Sequence, residues 1–274
     1  MKIIGKDIRI LNNSFELGKI KHAIFDFDGT ISILREGWEG IMEPVMVESI
    51  CGDQKPTPEI YQMVRHFIDE TTGVQTIVQM EGLVRMIEKQ GLVPKDKILD
   101  AWGYKKIYNE RLMVPVRKRI AELESGEKTL EDYTVRGSLD FCKKLSERNV
   151  TMYLASGTDR GDVRNESQKV TAAQYFRGGI HGAIGSVDDY SKDKVIKEIL
   201  KDNNLHGSEL VVFGDGPVEI RNAKENGAIA VGIASNEVKG HGWNPQKIER
   251  LTRAGCDILM PDFSEGDLLL EYLF

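Results

Sequence analysis

Cysteine, long apolar runs and basic segments are all scarce in this sequence, and each shortage excludes a class of protein. The 274 residues include three cysteines, Cys51, Cys142 and Cys256, and none of them forms a CxxC pair. This spacing argues against a disulfide framework and against a zinc site, and it favours a reducing cytoplasm. The longest apolar runs, such as residues 228–234, are much shorter than a membrane span, so no membrane partner is expected.

Positive charge is not in excess either. The formal net charge is −6 and no segment is rich in lysine and arginine, so nucleic acid is not an expected partner. The first residues, MKIIGKDIRILNN, are interrupted by charges and lack the continuous apolar segment of a signal peptide. The five histidines show no metal-ligand spacing, and the composition predicts a soluble cytoplasmic protein.

The most informative stretch is FDFDGT, residues 25–30. Residues 21–27 predict a buried strand that Gly29 ends, and Asp26 and Asp28 project to the same side at its carboxyl end. Ligands bind at that edge in open parallel sheets. Two adjacent carboxylates repel unless a cation or strong donors compensate them, which favours Mg²⁺, an ion that prefers oxygen ligands. The alternative is an acidic strand end that only stabilises the following turn.

The chain divides into regions of different character. Residues 1–20 predict a hairpin or another decoration at a sheet edge, and residues 133–274 alternate between helices and strands. Between them, residues 33–132, here called the cap, predict helices only. The expected fold is α/β, a Rossmann-like parallel sheet with helices on both faces, with a helical cap domain inserted after the first catalytic strand. Residues 1–32 and 133–274 are the predicted catalytic core, with 1–20 as an N-terminal extension.

The apolar periodicity and the turn residues predict the individual elements. In the cap we expect helices at 38–50, 58–71, 75–90, 96–112 and 114–124, with Pro44 disturbing the first. In the core we expect helices at 135–148, 162–176, 192–203, 218–226, 245–254 and 267–273, and strands at 150–155, 210–213, 228–233 and 257–260. A glycine-rich stretch, 177–185, is not predicted as a strand.

Three further groups follow predicted strands or open predicted helices. Ser156-Gly157-Thr158 follows a strand, where a hydroxyl and free N–H groups suit a phosphate, although helix capping is the alternative. Lys192 and Lys194 open a helix, and either could offset negative charge or lie in solvent. Asp215 ends another strand with Glu219 one helical turn later, which suits a metal ion, or else favours the positive helix end.

The four groups FDFDGT, LASGT, a lysine at a helix start and GDGPVE resemble, in type and order, the motifs of the haloacid dehalogenase-like (HAD) hydrolase superfamily. The resemblance covers residues 21–274, and the cap lies where that superfamily carries its C1-type cap. Among its members the chain looks similar to phosphoglycolate phosphatase, β-phosphoglucomutase and phosphoserine phosphatase. The resemblance therefore implies an enzyme, a Mg²⁺-dependent phosphoric monoester hydrolase acting on a small phosphorylated metabolite.

The resemblance also implies roles for residues. Asp26 would be the nucleophile that forms an aspartyl-phosphate, and Asp28 the acid and then the base. Mg²⁺ would be held by the carboxylates of Asp26 and Asp215 and the backbone carbonyl of Asp28, with Glu219 orienting bound water. The residues expected to contact the phosphoryl group are Thr30, Ser156, Gly157 and Lys192, with Lys194 in reserve for the lysine.

Two alternatives stay open at this point. A phosphomutase of the β-phosphoglucomutase type would share all four motifs, and a phospho-accepting regulatory domain would share an acidic cluster, a hydroxyl and a lysine. In the cap, Arg35, Arg65 and Arg85 are candidates to meet an anionic substrate, although a surface position is expected for each. The loop 71–75 between two cap helices is expected to point into the cleft.

Overall fold

A computed structural model of the chain describes residues 2–185 and 190–274. These residues form one eight-stranded sheet in the order β1-β2-β8-β7-β6-β3-β4-β5. The strands are β1 (Lys2–Ile4), β2 (Ile8–Ile10), β3 (His22–Phe25), β4 (Thr151–Asp159), β5 (Gly179–Ala183), β6 (Leu210–Gly214), β7 (Ile229–Ile233) and β8 (Ile258–Met260). All pairs from β8 to β5 are parallel, and β3 lies between β6 and β4. The chain leaves β3 toward β4 and later returns to β6 on the other side, which makes the carboxyl edge of β3 a ligand-binding crevice.

Helices cover both faces of this sheet. They are α1 (Trp38–Cys51), α2 (Pro58–Glu70), α3 (Thr76–Gln90), α4 (Ala101–Ser125), α5 (Leu130–Tyr133), α6 (Ser138–Glu147), α7 (Arg160–Lys169), α8 (Lys192–Asp202), α9 (Pro217–Glu225), α10 (Pro245–Ala254) and α11 (Gly266–Leu273). Phe25 on one face packs with α6, α7 and α11, whereas Ile24 on the other packs with α8, α9 and α10. This alternation along β3 confirms the predicted parallel sheet with two helical layers. Within the described residues no helix has both the length and the hydrophobicity of a membrane span.

The cap helices α1–α4 have an apolar core of their own. It consists of buried residues between Met42 and Val116 and includes no buried side chain of the sheet. The two connections of the cap lie side by side, because the N–H of Val135 donates to Ile31 O (2.9 Å) and the N–H of Ile33 donates to Tyr133 O (3.0 Å). A separate core on a paired connection is what an inserted domain requires, while the boundaries at 32 and 133 stay a prediction.

The N-terminal residues confirm the expected edge hairpin. Strands β1 and β2 pair antiparallel, and β2 then pairs antiparallel with β8. The turn between them is held by Glu265, whose carboxylate accepts hydrogen bonds from the N–H groups of Lys6 (2.8 Å) and Asp7 (2.8 Å). The hairpin therefore extends the sheet at the edge farthest from β5.

Three predicted helices have the wrong bounds, and one strand was not predicted. The helices expected at 96–112 and 114–124 are one helix, α4, which starts after Asp100 and continues through Pro115. A proline costs a helix one backbone hydrogen bond, but Leu112 and Val116 are buried in the cap and hold the two halves together. Helix α1 likewise contains Pro44.

The glycine-rich stretch 177–185 contains the strand β5, which its composition did not indicate. It is a strand because β4 is longer than predicted, reaching Asp159, and offers β5 a parallel partner as far as Ala183. The helix expected at 162–176 ends at Lys169. It ends there because Thr171 has a left-handed backbone conformation (φ 58°) that a right-handed helix does not allow.

Candidate active site

The carboxyl edge of β3 is the centre of the site. The N–H of Asp26 donates to Phe213 O (2.9 Å) and so continues the pairing of β3 with β6 by one residue. Asp26 and Asp28 line the same cavity, which confirms that they project to one side. Gly29 follows with a φ of 76°, and a Cβ there would lie 2.3 Å from Asp215 Oδ2, so only glycine lets the turn pass this close to the second acidic strand end.

Lys192 lies between two of the acidic side chains, Asp26 and Glu219. Its Nζ lies 2.7 Å from Asp26 Oδ1 and 3.3 Å from Glu219 Oε2, and all three side chains are buried. Lys194 is exposed, with its N–H bonded to the Ser191 hydroxyl that caps α8 (3.1 Å). Of the two lysines that the sequence offered, the structure brings Lys192 to the cluster.

Three buried carboxylates could hold a metal ion. Asp26, Asp215 and Glu219 each offer one oxygen atom, and these atoms lie within 4.8 Å of one another. Glu219 is held in place by the N–H of Gly216, which donates to its Oε1 (2.9 Å). Carboxylate oxygens at this separation are a donor set that fits Mg²⁺, a hard cation. The three predicted carboxylate residues therefore meet, although they come from β3, β6 and α9.

The pKa values in this cluster are shifted from their ordinary values in different directions. Burial raises the pKa of Asp26, Lys192 lowers it, and Glu219 and Asp215 raise it again, so that it stays well above its ordinary value. Burial also acts to raise the pKa of Asp215, but Lys247 and Arg250 outweigh it and the pKa is lowered. Burial favours the neutral amine of Lys192, yet Asp26 and Glu219 raise its pKa. The negative charge around Asp26 is thus incompletely compensated, and a divalent cation would stabilise it.

The hydroxyls after β4 hold Asp28. Thr158 Oγ1 donates to Asp28 Oδ2 (2.8 Å), Ser156 Oγ lies 3.3 Å from the same oxygen, and the N–H of Thr158 donates to Ser156 Oγ (3.1 Å). The other oxygen, Asp28 Oδ1, is buried and has no hydrogen-bond partner within residues 2–185 and 190–274. Burial is the main reason that the pKa of Asp28 is raised. One oxygen is therefore fixed while the other is available to carry a proton.

Arg35 corrects the expectation of a surface position. It is buried and lines the cavity, and its guanidinium binds both oxygens of Glu166 at 2.9 and 2.6 Å. Its Nε also lies 3.8 Å from Asp28 Oδ1. Arg65 and Arg85 are exposed, as expected, and Arg65 pairs with Glu43 (2.9 Å).

Sequence reasoning missed a group of charged residues behind Asp215. Lys247 Nζ lies 2.7 Å from Asp215 Oδ2 and 2.6 Å from Glu237 Oε1, and Lys247 is buried. Arg250, one turn later on α10, donates from Nε to the backbone oxygen of Asp215 (3.2 Å). The only signal was a lysine and an arginine three positions apart, which share one helix face.

The cap closes the cavity from above. The loop 71–75 points into the cleft, as expected, and its residues Thr72, Gly73 and Val74 line the cavity. The contact is backbone to backbone, since a Cβ on Gly157 would lie 2.7 Å from Val74 O.

Two of the predicted residues stay outside the cavity wall. Thr30 and Glu219 are buried but do not line the cavity, whereas Asp26, Asp28, Ser156, Gly157, Lys192 and Asp215 all do. Glu219 is nevertheless one of the three carboxylates of the cluster and contacts Lys192. The buried hydroxyl of Thr30 has no hydrogen-bond partner among the described residues, so its expected contact with the substrate stays a prediction.

Comparisons with known proteins agree with this arrangement. A family model described as haloacid dehalogenase-like hydrolase matches residues 20–227. No curated protein matches the chain. Among solved structures, a predicted phosphatase from Clostridium acetobutylicum is similar with a TM-score of 0.58 and 16% identity, over 92% of this chain and 99% of that one.

Two further solved structures have the same fold. A β-phosphoglucomutase from Clostridium difficile has a TM-score of 0.61 at 12% identity, covering 92% of this chain and 96% of its own. A predicted phosphoglycolate phosphatase from Haemophilus somnus has a TM-score of 0.61 at 12% identity, covering 93% and 99%. At these identities the likeness concerns the fold alone, and the family follows from the sequence match.

Proposed function

The chain belongs to the haloacid dehalogenase-like hydrolase family, and from this premise we propose that it is a Mg²⁺-dependent phosphatase of a small phosphorylated metabolite. One observation carries the proposal. Asp26 lies in the cavity between core and cap, 2.7 Å from the Lys192 ammonium and within 4.8 Å of two further carboxylate oxygens. A nucleophilic carboxylate needs such compensation, because it must approach a phosphate that is itself negatively charged.

In the proposed reaction Asp26 attacks the phosphorus atom in line with the ester oxygen. The bond from phosphorus to the leaving alkoxide breaks as the bond to the Asp26 oxygen forms, and Asp28 gives its proton to the alkoxide. Water then attacks the aspartyl-phosphate while Asp28 takes up its proton, and inorganic phosphate leaves. The raised pKa of Asp28 supports its role as the acid, because burial favours the protonated carboxyl group that an acid needs.

The remaining groups position the phosphoryl oxygens. Lys192 and the hydroxyl of Ser156, with the N–H of Gly157, line the cavity beside Asp26 and would bind these oxygens. Asp26 and Asp215, with the backbone carbonyl of Asp28, would hold Mg²⁺, and Glu219 would orient a water bound to it. When bound, Mg²⁺ supplies charge neutralisation for the nucleophile and the phosphoryl oxygens.

A phosphomutase is the second candidate, because a β-phosphoglucomutase is among the similar structures. It would use the same residues but transfer the phosphoryl group back to its sugar. A regulatory domain that only accepts phosphate is less well supported, since Asp28 is placed to act as an acid and a cap covers the site. We propose the cytoplasm as the place of action, in keeping with the three free cysteines, all buried.

The test is phosphate release from a panel of phosphorylated metabolites, with Mg²⁺ and after its removal by a chelator. We expect Asp26→Asn to lose at least about 1,000-fold in kcat, because an amide cannot form the acyl-phosphate intermediate. Asp53→Asn, which changes an exposed aspartate in the cap, is the matched control and should keep full activity. Undiminished Mg²⁺-dependent turnover in Asp26→Asn would contradict the assignment, and an isomeric sugar phosphate without net phosphate release would select the mutase.

A further inference from the structure

The wall of the cavity is charged on one side and neutral on the other. The core contributes Asp26, Asp28, Lys192 and Asp215. The described cap residues after Arg35 contribute neutral side chains only, among them Trp38, Thr72, Thr76, Gln79, Tyr108 and Leu112. A phosphoryl group bound at Asp26 therefore has its leaving group directed at a surface of hydroxyls, one amide and aromatic rings.

The two basic side chains of the wall already have acidic partners. Arg35 binds Glu166 through two nitrogens and lies 3.3 Å from Asp162 Oδ2. Lys192 lies between Asp26 and Glu219. Among the described residues that line the cavity, a second anionic group on the substrate would thus find no cation that is not already paired.

We propose that the leaving group is an uncharged alcohol that carries further hydroxyls, and that esters bearing a carboxylate are rejected. This inference rests on the proposed phosphatase function and adds the substrate class. Hydroxyls can exchange hydrogen bonds with threonine, glutamine and tyrosine side chains, whereas a carboxylate would lose its water without gaining a partner.

The test compares pairs of phosphate esters in which one member carries a hydroxymethyl group where the other carries a carboxylate. One pair is 2-hydroxyethyl phosphate against 2-phosphoglycolate, and the other is glycerol 1-phosphate against 3-phosphoglycerate. We expect kcat/KM to favour the hydroxyl member of each pair by at least about 100-fold, since a buried and unpaired charge costs at least that factor. Equal rates, or a preference for the carboxylate member, would overturn the proposal.

A variant tests the same point from the side of the protein. Thr76 is half-buried in the neutral wall at the first turn of α3, and Thr76→Lys introduces a cation there. We expect this variant to raise kcat/KM for the carboxylate members, so that the ratio of kcat/KM between the hydroxyl and the carboxylate member of each pair falls at least about tenfold. Thr57→Lys, at the exposed start of α2, is the matched control and should leave the ratio unchanged.

The outcomes separate this inference from the proposed function. Hydrolysis of acetyl phosphate would report on the phosphoryl transfer alone, because its acetyl group carries neither a hydroxyl nor a charge for the neutral cap residues to distinguish. Turnover of acetyl phosphate together with a preference for carboxylates would overturn the inference alone. No turnover of acetyl phosphate or of either pair would overturn the proposed function and the inference with it.

Discussion

At the scale of single residues, the two lysines at the start of α8 show how helix geometry decides a choice that composition leaves open. Residues two apart on a helix point in directions about 200° apart. Lys192 therefore faces the sheet and reaches Asp26, while Lys194 faces outward. The burial of Lys192 also makes it the counter-charge of two acids, so its loss should affect both activity and stability.

We expect Lys192→Gln to lower kcat at least about 100-fold, because one charged donor to the phosphoryl oxygens is lost. Lys194→Gln should stay within about twofold and serves as the matched control for the loss of one lysine on the same helix turn. Steady-state kinetics with Mg²⁺ decide between them. Equal losses in the two variants would contradict the assignment of Lys192.

Arg35 shows what local sequence does not indicate at this scale. It was a candidate to meet an anionic substrate but was expected at the surface, and its main partner Glu166 is 131 positions away. A buried ion pair between such distant residues exists only once the fold brings β3 next to β4. The motif residues were predictable because each follows a strand or lies in the first turn of a helix; Arg35 does neither.

At the scale of elements, helix α10 was predicted with its observed bounds, 245–254, yet its chemical role was not. The bounds follow from local signals, since Asn244 accepts hydrogen bonds from the N–H groups of Gln246 and Lys247 and Pro245 fits the first turn. The role depends on which strand the helix packs beside. Elements that depend on pairing, such as β5, were missed for the same reason.

Lys247 on this helix should stabilise the folded protein as the shared cation of Asp215 and Glu237. Lys247→Met removes the ammonium group from half-buried Glu237 and leaves buried Asp215 with Arg250, and we expect the free energy of unfolding to fall by about 3 kcal/mol. Adding Glu237→Gln should recover part of this loss, because the carboxylate that faced Lys247 is then neutral. Chemical denaturation measures all three proteins, and Lys239→Met, an exposed lysine on the preceding loop, is the control.

At the scale of the whole molecule, ion pairs join the cap to the core around the cavity. Glu70 of α2 pairs with Arg253 (2.9 Å) and Arg221 (3.2 Å) of the core, and Arg250 pairs with Glu39 (3.3 Å). On the other side Lys105 pairs with Asp159 (2.6 Å). Arg250 also contacts Asp215, so the same guanidinium binds the cap and one of the three clustered carboxylate residues.

Reversing one of these charges should favour an open cap. We expect Glu70→Lys to lower kcat/KM about fivefold at low salt, since exposed pairs are each worth only about 0.2–1 kcal/mol. Adding Arg253→Glu should restore most of the loss, and salt at about 1 M should shrink the effect by screening. Glu88→Lys, a reversal on an exposed part of α3, is the control. An identical loss at low and high salt would contradict the electrostatic explanation.

The N-terminal hairpin has a consequence for the order in which the protein assembles. Strand β2 pairs Arg9 with Leu259, and Lys6 binds Glu265 across 259 positions of sequence. Because synthesis runs from the N-terminus to the C-terminus, these strands leave the ribosome long before β8 does. The sheet can therefore close at this edge only after β8 has been made, and until then β2 keeps an unpaired edge.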